Sequence, residues 1–405
     1  MTPVSSKLQR RVLLLTYYFP PDLSAGSFRA RALADALMAA DPGLQLDIIT
    51  TEPNRYQRHR PSALPEDAPP YHVMRVPLPV KRHGLVGQVL SFLAFANGVR
   101  KQVAGHQYDL VIATSSRLMT ACLGAWVGAR ARCPLYLDIR DIFVETLDDV
   151  FPGPLLWPVR RLFSLMERWP LRRARRVNLV SEGFLPYFRK RYTRRDYALF
   201  TNGIDDQFVE LAGQLPPALP CERTGQTPHL VYAGNIGDGQ GLEKILPALA
   251  AALGDRARIT VIGDGGARGR LLAECKGLAV DVAVLDPMPR NELLAVYESA
   301  DVLFLHLNDY PAFERVLPSK LFEYAATGKP MLAGVGGYAR TFIERELPGV
   351  GVFAPCDVTE GVAAFERLSL TVTDRSAFVA RFSRREIMAR MAEDVLDCLP
   401  GSENA

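Results

Sequence analysis

The most constraining feature of this sequence is an alternation of short apolar runs with amphipathic segments, which begins twice. In the first half, strand-like RVLLLTYYF (residues 11–19) precedes helix-like FRARALADALMAA, and the alternation continues to YALFTN (residues 197–202). A Pro-rich polar stretch, residues 214–228, separates it from a second series that starts at HLVYAGNI (residues 229–236). Such alternation predicts parallel sheets with helices on both faces. We therefore predict an α/β protein with two doubly wound, Rossmann-like domains that face each other across a cleft.

The predicted domain boundaries follow from this pattern and from the length of the chain. A chain of 405 residues is too long for one ordinary core and suits two domains. We place the N-terminal domain at residues 1–203 and the C-terminal domain at residues 204–378. The helical tail, residues 379–405, is expected to cross back to the N-terminal domain.

Composition and residue usage exclude several classes of protein. With 48% hydrophobic and 23% charged residues, the composition is that of a soluble globular protein. The six cysteines form no C-x-x-C pair and the six histidines are isolated, so neither a disulfide framework nor a metal site is predicted. No run reaches the ~20 apolar residues that a membrane-spanning helix needs. The first apolar run is too short for a signal peptide, so we expect a cytoplasmic protein. Because no ligand spacing is present, we also expect that it needs no metal or cofactor.

Basic residues concentrate between Val159 and Asp196, although the net charge of the chain is only +4. Basic residues beside aromatic ones suit an anionic membrane surface or a polyphosphate ligand. A solvated helix face explains the same pattern equally well. Nucleic acid is a weaker third interpretation, because no recognition motif accompanies the stretch. The aromatic residues beside or among these charges are Trp157, Phe163, Trp169, Tyr187 and Phe188.

Small and polar residues follow several of the predicted strands. Ligands of open α/β sheets bind beyond the carboxyl ends of the strands, and small residues at helix starts let backbone N–H groups reach an anion. The segment GDGG is not G-x-G-x-x-G, because Arg268 occupies the place of the third glycine, so a dinucleotide site is not predicted. The candidate segments are residues 24–27, 138–141, 234–237, 263–266 and 286–288.

The segment FERVLPSKLFEYAATGKP (residues 313–330) gives the sharpest indication of a ligand. Pro318 and Ser319 open a predicted helix, so its positive end lies near the ammonium of Lys320. Glu323 follows at i+3 on the same face, where its carboxylate can accept hydrogen bonds from two hydroxyl groups. Phosphate at Lys320 and ribose at Glu323 together describe a nucleoside diphosphate. An i,i+3 surface ion pair on a capped helix is the alternative.

Taken in order, these motifs resemble glycosyltransferase family 4, whose members are retaining enzymes with the GT-B fold. The resemblance covers almost the whole chain, and its order and spacing are more specific than any single motif. Within the family, the chain is similar to bacterial surface-polysaccharide enzymes of the amino-sugar and fucosamine type. The segments that carry it include YYFPPDLSAGSFRARALADAL, DIRDIFVE, VYAGNIGDGQGLE, DPMPRNELLAVYESADV and PSKLFEYAATGKP.

The resemblance implies an acceptor-binding N-terminal domain and a C-terminal domain that binds the nucleotide-sugar. Glu323 matches the second glutamate of the family's E-x7-E motif, which holds the donor ribose, and Lys320 matches a residue near the diphosphate. Gly26 matches a glycine whose backbone approaches the diphosphate and the reacting sugar. Residues 286–288 match a stretch whose backbone reads the base, and Asp264 and Gly265 match a loop below the nucleotide. The full set of residues predicted to bind the donor, from the strand ends and from the resemblance together, is Gly26, Gly237, Asp264, Gly265, Pro287, Met288, Ser319, Lys320 and Glu323.

The sequence also departs from the family pattern. The first glutamate of E-x7-E is replaced by Arg315, with Glu314 one residue earlier. An Arg and a Lys that usually follow the first strand of the second domain are replaced by Asn235 and Gln240. The charge of the leaving diphosphate would then be met by Lys320, by helix N-termini and by Arg140 or Arg29.

The DIRD segment supplies the candidate catalytic residues Asp138, Arg140 and Asp141. If the preceding strand continues, Asp138 and Arg140 share one face. A carboxylate here could take the proton of the acceptor hydroxyl, and Arg140 could hold a phosphate. A structural Asp–Arg pair that anchors a loop is the alternative.

The predicted reaction is transfer of a sugar, with retention, from a UDP-sugar to a hydroxyl of a lipid-linked saccharide. It would serve O-antigen, capsule or exopolysaccharide synthesis at the inner face of the plasma membrane. The apolar segment LVGQVLSFLAFANGV, after Lys81-Arg82-His83, is a second candidate for membrane contact, with core packing as the alternative. Two other functions stay open: a nucleotide-sugar 2-epimerase using His306, and a non-catalytic nucleotide-binding partner of a polysaccharide assembly complex.

Overall fold

The computed structural model of this chain describes residues 10–22, 24–53, 69–79, 85–115, 118–142, 144, 157–193, 195–214, 227–280 and 282–401. The chain divides into two compact units. Unit 1 comprises Met1–Asn202 with Arg384–Ala405, and unit 2 comprises Gly203–Ser383. The predicted divisions lie after residues 203 and 378, whereas the structure has them after residues 202 and 383. Each unit contains a parallel sheet covered by helices, which confirms the predicted α/β class with two doubly wound domains.

Unit 1 is built on a seven-stranded sheet whose neighbouring strands are all parallel. The strands are β1 (Arg11–Leu15), β2 (Gln45–Thr51), β3 (His72–Val76), β4 (Leu110–Thr114), β5 (Leu135–Ile139), β6 (Arg176–Leu179) and β7 (Tyr197–Ala198). Their order across the sheet is β3-β2-β1-β4-β5-β6-β7. Strands β4 and β5 are buried along their whole length, because a parallel sheet carries helices on both faces.

The helices of unit 1 follow its strands in the alternating pattern that the sequence predicts. The five helices in the described part of residues 10–202 are α1 (Ala25–Ala40), α2 (Leu85–Gln102), α3 (Leu118–Ala131), α4 (Trp157–Arg173) and α5 (Leu185–Arg191). A 3-10 turn, Glu182–Phe184, leads into α5. The hydroxyl of Ser24 caps α1 by accepting the N–H of Ser27 at 3.1 Å. Right-handed crossovers place α1 on one face of the sheet and α2, α3 and α4 on the other.

Unit 2 repeats the design with a six-stranded parallel sheet. Its strands are β8 (His229–Ala233), β9 (Arg258–Ile262), β10 (Val282–Leu285), β11 (Val302–His306), β12 (Met331–Gly334) and β13 (Val350–Phe353). Their order is β10-β9-β8-β11-β12-β13. Its helices are α6 (Asp206–Gln214), α7 (Leu242–Leu253), α8 (Arg268–Cys275), α9 (Arg290–Ser299), α10 (Lys320–Ala326), α11 (Gly337–Glu346), α12 (Val358–Glu366) and α13 (Ser376–Arg381). The 3-10 turns Gly254–Arg256 and Pro311–Arg315 complete it.

The last helix, α14 (Arg384–Leu396), belongs to unit 1 and packs along α1. The hydroxyl of Tyr136 on β5 donates to Asp394 Oδ2 at 2.9 Å, and Arg176 on β6 forms an ion pair with the same carboxylate at 3.0 Å. At the start of the helix, Arg384 Nε donates to the carbonyl oxygen of Asn202 at 2.8 Å. These contacts confirm the predicted return of the C-terminal helix to the first domain.

None of the helices in the described ranges combines the length and the apolar composition needed to cross a membrane.

Candidate active site

In unit 2, the loops after β8 and β9 pack backbone against backbone. Gly263 has φ 151°, and a Cβ atom there would lie 1.8 Å from the carbonyl oxygen of Gly234. Gly265 has φ 158°, and a Cβ atom there would lie 2.3 Å from the carbonyl oxygen of Ile236. The N–H of Ile236 donates to the carbonyl oxygen of Asp264 at 2.9 Å. These two glycines of GDGG are therefore required by the packing of the two loops. The predicted nucleotide contact of Asp264 and Gly265 stays a prediction.

The loop after β8 carries a neutral amide pair. The side-chain N–H of Asn235 donates to Gln240 Oε1 at 2.8 Å, and the backbone N–H of Gly237 donates to the same oxygen at 3.2 Å. The two residues that replace the family's Arg and Lys thus bind each other. The pair shapes the loop and adds no positive charge to it.

Two polar residues at the end of β11 hold this loop in place. His306 Nδ1 donates to the carbonyl oxygen of Gln240 at 2.6 Å, and its Nε2 accepts the N–H of Cys356 at 3.0 Å. Asn308 donates through Nδ2 to the carbonyl oxygen of Asp238 at 2.6 Å. Both ring nitrogens of His306 are occupied by backbone groups, so this side chain is not available to abstract a proton as the epimerase alternative requires.

This role of His306 and Asn308 was not predicted from the sequence. The available signal was weak: two polar side chains end an otherwise apolar strand, VLFLHLN. Their partners in the loop after β8 lie more than 60 positions away along the chain, in a segment whose own sequence shows no complementary pattern.

Acid is expected to destabilise unit 2 through His306. Burial lowers the pKa of this histidine from 6.5 to about 4, against the opposing effect of the hydrogen bond to Gln240. As the pH falls, the unfolded chain therefore takes up the proton first. This contribution to stability is complete above pH 6.5 and falls by about 3 kcal/mol on the way to pH 4.

Urea unfolding at pH 7 and pH 4.5 tests this expectation. The wild type should lose more stability between the two values than His306→Gln, which has no titrating group at this position. Equal losses in the two proteins would contradict the assignment.

The N-terminal end of α10 lies against the end of β8. A Cβ atom on Gly234 would approach Lys320 Cε to 3.1 Å. Lys320 Nζ lies 3.1 Å from Glu323 Oε2 and 3.3 Å from the hydroxyl of Tyr297. Burial disfavours the charged ammonium, but the carboxylate of Glu323 outweighs it and raises the pKa of Lys320. The site therefore holds a charged ammonium and a carboxylate side by side.

This ion pair differs from an ordinary surface pair in its exposure. The side chains of Lys320 and Glu323 are only 25% and 13% exposed. Tyr324 fixes the helix to β8, since its hydroxyl accepts the N–H of Ala233 at 3.0 Å and donates to the carbonyl oxygen of the same residue at 3.2 Å. The side chain of Ser319 makes no capping hydrogen bond. A phosphate and a ribose could each bind one member of the pair.

The remaining donor candidates of unit 2 follow β10. Asp286 is exposed and forms an ion pair with Arg268 at 2.9 Å. Pro287 is half-buried, and Met288 packs against the core that surrounds α10. The structure thus brings the segment 286–288 to the carboxyl edge of the same sheet as the β8 and β9 loops. The predicted contact of Pro287 and Met288 with the base stays a prediction.

In unit 1, the structure gives Asp138 a structural role. Its buried carboxylate accepts two hydrogen bonds from Arg29, both 2.9 Å, and one from Asn178 at 2.7 Å. Burial opposes the charge of Asp138, but the guanidinium of Arg29 lowers its pKa, so it stays ionised. Strand β5 ends at Ile139, and the partner of Asp138 is Arg29 instead of Arg140. We therefore reassign Asp138, predicted as a proton acceptor, to the support of unit 1.

The guanidinium of Arg29 is engaged in hydrogen bonds within the same cluster. Its guanidinium also donates to the carbonyl oxygens of Thr201 at 2.6 Å and Phe200 at 2.9 Å, and the residue is 1% exposed. It cannot meet the charge of a diphosphate without leaving Asp138 unpaired. Asp141 is exposed, and it stays the predicted proton acceptor.

The basic stretch of unit 1 divides into a buried part and an exposed part. Tyr187 and Phe188 belong to the core, where Tyr187 donates to the buried carboxylate of Glu167 at 3.0 Å. In contrast, α4 exposes Leu162, Leu165 and Trp169, which lie at helical spacing. Four arginines of the same helix are also exposed, namely Arg161, Arg168, Arg172 and Arg173.

Helix α2 shows a similar division. Phe95 and Val99 are fully buried, as core packing predicts, whereas Val89, Leu90 and Leu93 are exposed. The segment Lys81-Arg82-His83 lies outside the described residues. Exposed apolar side chains therefore occur on two helices of the same face of the sheet.

No cluster of three or more His, Cys, Asp or Glu side chains that could hold a metal ion occurs within the described ranges.

Comparison with known proteins agrees with this architecture. A family model described as "Glycosyl transferase 4-like domain" matches residues 26–203, and one described as "Glycosyl transferases group 1" matches residues 227–370. The chain is 25% identical over 161 residues to a protein of Escherichia coli (strain K12) named colanic acid biosynthesis glycosyl transferase WcaI. That match spans 39% of this chain and 39% of the relative.

Solved structures share the fold over nearly the whole chain. Sucrose-phosphate synthase from Thermosynechococcus elongatus has a TM-score of 0.69 and 17% identity, covering 96% of this chain and 98% of that one. HepE of Anabaena, in complex with UDP and glucose, has a TM-score of 0.65 and 16% identity, covering 96% and 99%. Together, the two family models and the shared architecture show that this chain belongs to glycosyltransferase family 4 and has the GT-B fold.

Proposed function

We propose that the protein transfers a sugar, with retention at the anomeric carbon, from a UDP-sugar to a hydroxyl group of a saccharide. The observation that carries this proposal is the partly buried Lys320–Glu323 pair at the end of β8. An ammonium beside a carboxylate matches the two chemically different parts of a nucleoside diphosphate, the phosphates and the ribose hydroxyls. The fold that the chain shares with HepE, which was solved with UDP and glucose, supports the choice of donor.

The chemistry follows from these groups. The bond between the anomeric carbon and the diphosphate oxygen breaks, and its electron pair leaves with UDP. Lys320 meets the charge that develops on the leaving oxygen, because a prearranged cation stabilises it without reorganisation. The acceptor oxygen bonds to the anomeric carbon on the face that UDP leaves. Its proton passes to a phosphate oxygen of UDP or to Asp141. We expect this chemistry to need no added metal, so transfer should persist in EDTA.

We further propose that the acceptor belongs to a surface polysaccharide and is carried by a lipid. The name of the Escherichia coli relative, which refers to colanic acid biosynthesis, supports the polysaccharide. The exposed apolar residues of α2 and α4 support a lipid-carried acceptor, because they offer a surface that can contact a membrane. On α4, arginines flank these apolar residues. Apolar side chains beside basic ones insert into the boundary of anionic membranes, and each basic residue adds about 1 kcal/mol near such a surface.

A flotation experiment with vesicles that contain anionic lipid tests the membrane surface. The wild type should float with the vesicles, and Leu162→Asp with Leu165→Asp should lower the bound fraction severalfold, because two charges would enter the apolar layer. Leu272→Asp, at an exposed leucine of unit 2, is the matched control and should bind as the wild type does. Equal binding by the three proteins, or none by the wild type, would contradict this part of the proposal.

The experiment that tests the proposed reaction is incubation with a panel of UDP-sugars and saccharide acceptors, followed by NMR spectroscopy. A transferase releases UDP only with an acceptor, and a retaining enzyme gives a product with the anomeric configuration of the donor. Turnover of free UDP-sugar into its 2-epimer would overturn the proposal in favour of the epimerase. Nucleotide binding without any turnover would favour a non-catalytic partner.

A further inference from the structure

The ammonium of Lys320 is held by two partners of different kinds. It donates to the carboxylate of Glu323, where Nζ and Oε2 are 3.1 Å apart, and to the hydroxyl of Tyr297 at 3.3 Å. An ammonium carries three N–H groups, and the third has no acceptor in the part of the chain that the structure describes. The two hydrogen bonds therefore fix the direction of one remaining donor.

Tyr297 is the more rigid of the two partners. It lies in the last turn of α9, on a different helix from Lys320, and it is fully buried. Its ring contacts that of Tyr324 edge-on, with the centroids 5.4 Å apart, and that of Phe208 at 6.0 Å. Close packing of this kind holds a ring in one rotamer. Since Tyr324 is itself bonded to β8, the hydroxyl of Tyr297 has a fixed position relative to the sheet of unit 2.

Glu323 is the less exclusive partner. Its side chain is 13% exposed, and in the proposed function its carboxylate also accepts hydrogen bonds from the ribose hydroxyls. A carboxylate that serves two groups holds the ammonium less firmly than a partner that serves one. Tyr297 is out of reach of a ligand, because no part of it is exposed.

The partner that Tyr297 supplies is also neutral. A second carboxylate at this position would cancel the charge of the ammonium and repel a diphosphate, whereas a phenol oxygen accepts the N–H and leaves the charge in place. That charge matters here because the β8 loop carries the neutral pair Asn235–Gln240. Ring packing alone does not require the hydroxyl, since a phenylalanine would fill the same space.

We propose that Tyr297 is a positioning residue for sugar transfer, whose hydroxyl directs the ammonium of Lys320 toward the oxygen that leaves with UDP. It touches neither donor nor acceptor and acts only through Lys320. This proposal rests on the proposed function and adds a residue of α9 to the requirements of that site. As negative charge grows on the leaving oxygen, a donor that already points at it needs no reorganisation.

Transfer kinetics of Tyr297→Phe test the proposal, because this change removes the hydroxyl and keeps the ring. With the UDP-sugar that the wild type uses, the rate at saturating donor should fall roughly 10-fold, the lower end of what a hydrogen bond to a charged group contributes. The KM for the UDP-sugar should stay within about twofold of the wild-type value, because the ammonium keeps its charge and only its aim in the transition state is lost.

Tyr108→Phe is the matched control. Its hydroxyl is also buried and donates to a carboxylate, Asp47 Oδ2, at 3.1 Å, but Tyr108 precedes β4 at the amino edge of the sheet of unit 1. This variant should transfer sugar at the wild-type rate. Urea unfolding should show that Tyr297→Phe still unfolds cooperatively, as the wild type does.

A double-mutant cycle separates positioning from a purely structural role. If Tyr297 acts through Lys320, Tyr297→Phe should have no further effect on the slow transfer by Lys320→Ala. A structural role would lower the rate by the same factor in both backgrounds, and that result would overturn the proposal. So would a rate of Tyr297→Phe within about twofold of the wild-type rate.

The same measurements separate the role of Tyr297 from the proposed function. If the wild type transfers sugar and Lys320→Ala is slow while Tyr297→Phe is not, only the positioning role fails. If the wild type transfers sugar to no acceptor, the proposed function fails, and the role of Tyr297 in transfer fails with it.

Discussion

Replacing Lys320 by alanine is expected to lower the rate of sugar transfer at saturating donor by roughly 10²- to 10³-fold. This is the usual effect of removing one prearranged donor from a developing negative charge. The effect should be large here because the β8 loop contributes the neutral pair Asn235–Gln240 where the family has two cations. The measurement is the rate of UDP release by Lys320→Ala and by the wild type, with acceptor present and with the UDP-sugar that the wild type uses as donor.

Two controls define the cause of that loss. Lys276→Ala removes an exposed lysine of the same unit and should leave the rate unchanged. Lys320→Arg keeps the charge and should retain more activity than the alanine variant. If Lys320→Ala transfers sugar within threefold of the wild-type rate, the ammonium does not stabilise the leaving group.

Replacing Arg29 by alanine is expected to reduce the free energy of unfolding of unit 1 by about 3–5 kcal/mol. The change leaves the carboxylate of Asp138 buried with Asn178 as its remaining donor. The carbonyl oxygens of Phe200 and Thr201 lose a donor as well. Urea unfolding followed by circular dichroism measures the difference.

Arg31→Ala is the matched control for this prediction. Arg31 also lies on α1 and pairs with Asp35 at 3.6 Å, but both side chains are well exposed. Its removal should cost about 0.3–0.5 kcal/mol, as for other exposed i,i+4 pairs. Equal losses for Arg29→Ala and Arg31→Ala would contradict the structural assignment of the Arg29–Asp138 pair.

The fold was predictable because its signal is local. Strands such as RVLLL and LVIAT are covered by helices on both faces, so all but one residue of each is apolar, and each strand is followed by a helix with its own period. The segment PSKLFEYAATG forms a helix with Lys320 and Glu323 in contact, as their i,i+3 spacing predicts. The site residues of unit 2 come together because each one follows a strand of one sheet.

Long-range pairing was not predictable. Arg29 and Asp138 are 109 residues apart, and nothing near either residue indicates its partner. The sequence therefore presents Asp138 as a free carboxylate in a candidate site. Tyr187 and Phe188 likewise stand among basic residues in the sequence and are buried in the fold, because the helix that carries them turns its aromatic side inward.

The measurement that tests the central claim most directly is calorimetric titration of UDP, GDP and CMP into the wild type and Glu323→Ala. We expect UDP to bind to the wild type. We expect Glu323→Ala to bind UDP roughly 100-fold more weakly, because two hydrogen bonds from hydroxyl groups to a carboxylate are lost. Equal affinities in the two proteins, or no binding of any nucleotide to the wild type, would contradict the assignment of the Lys320–Glu323 pair as the donor site.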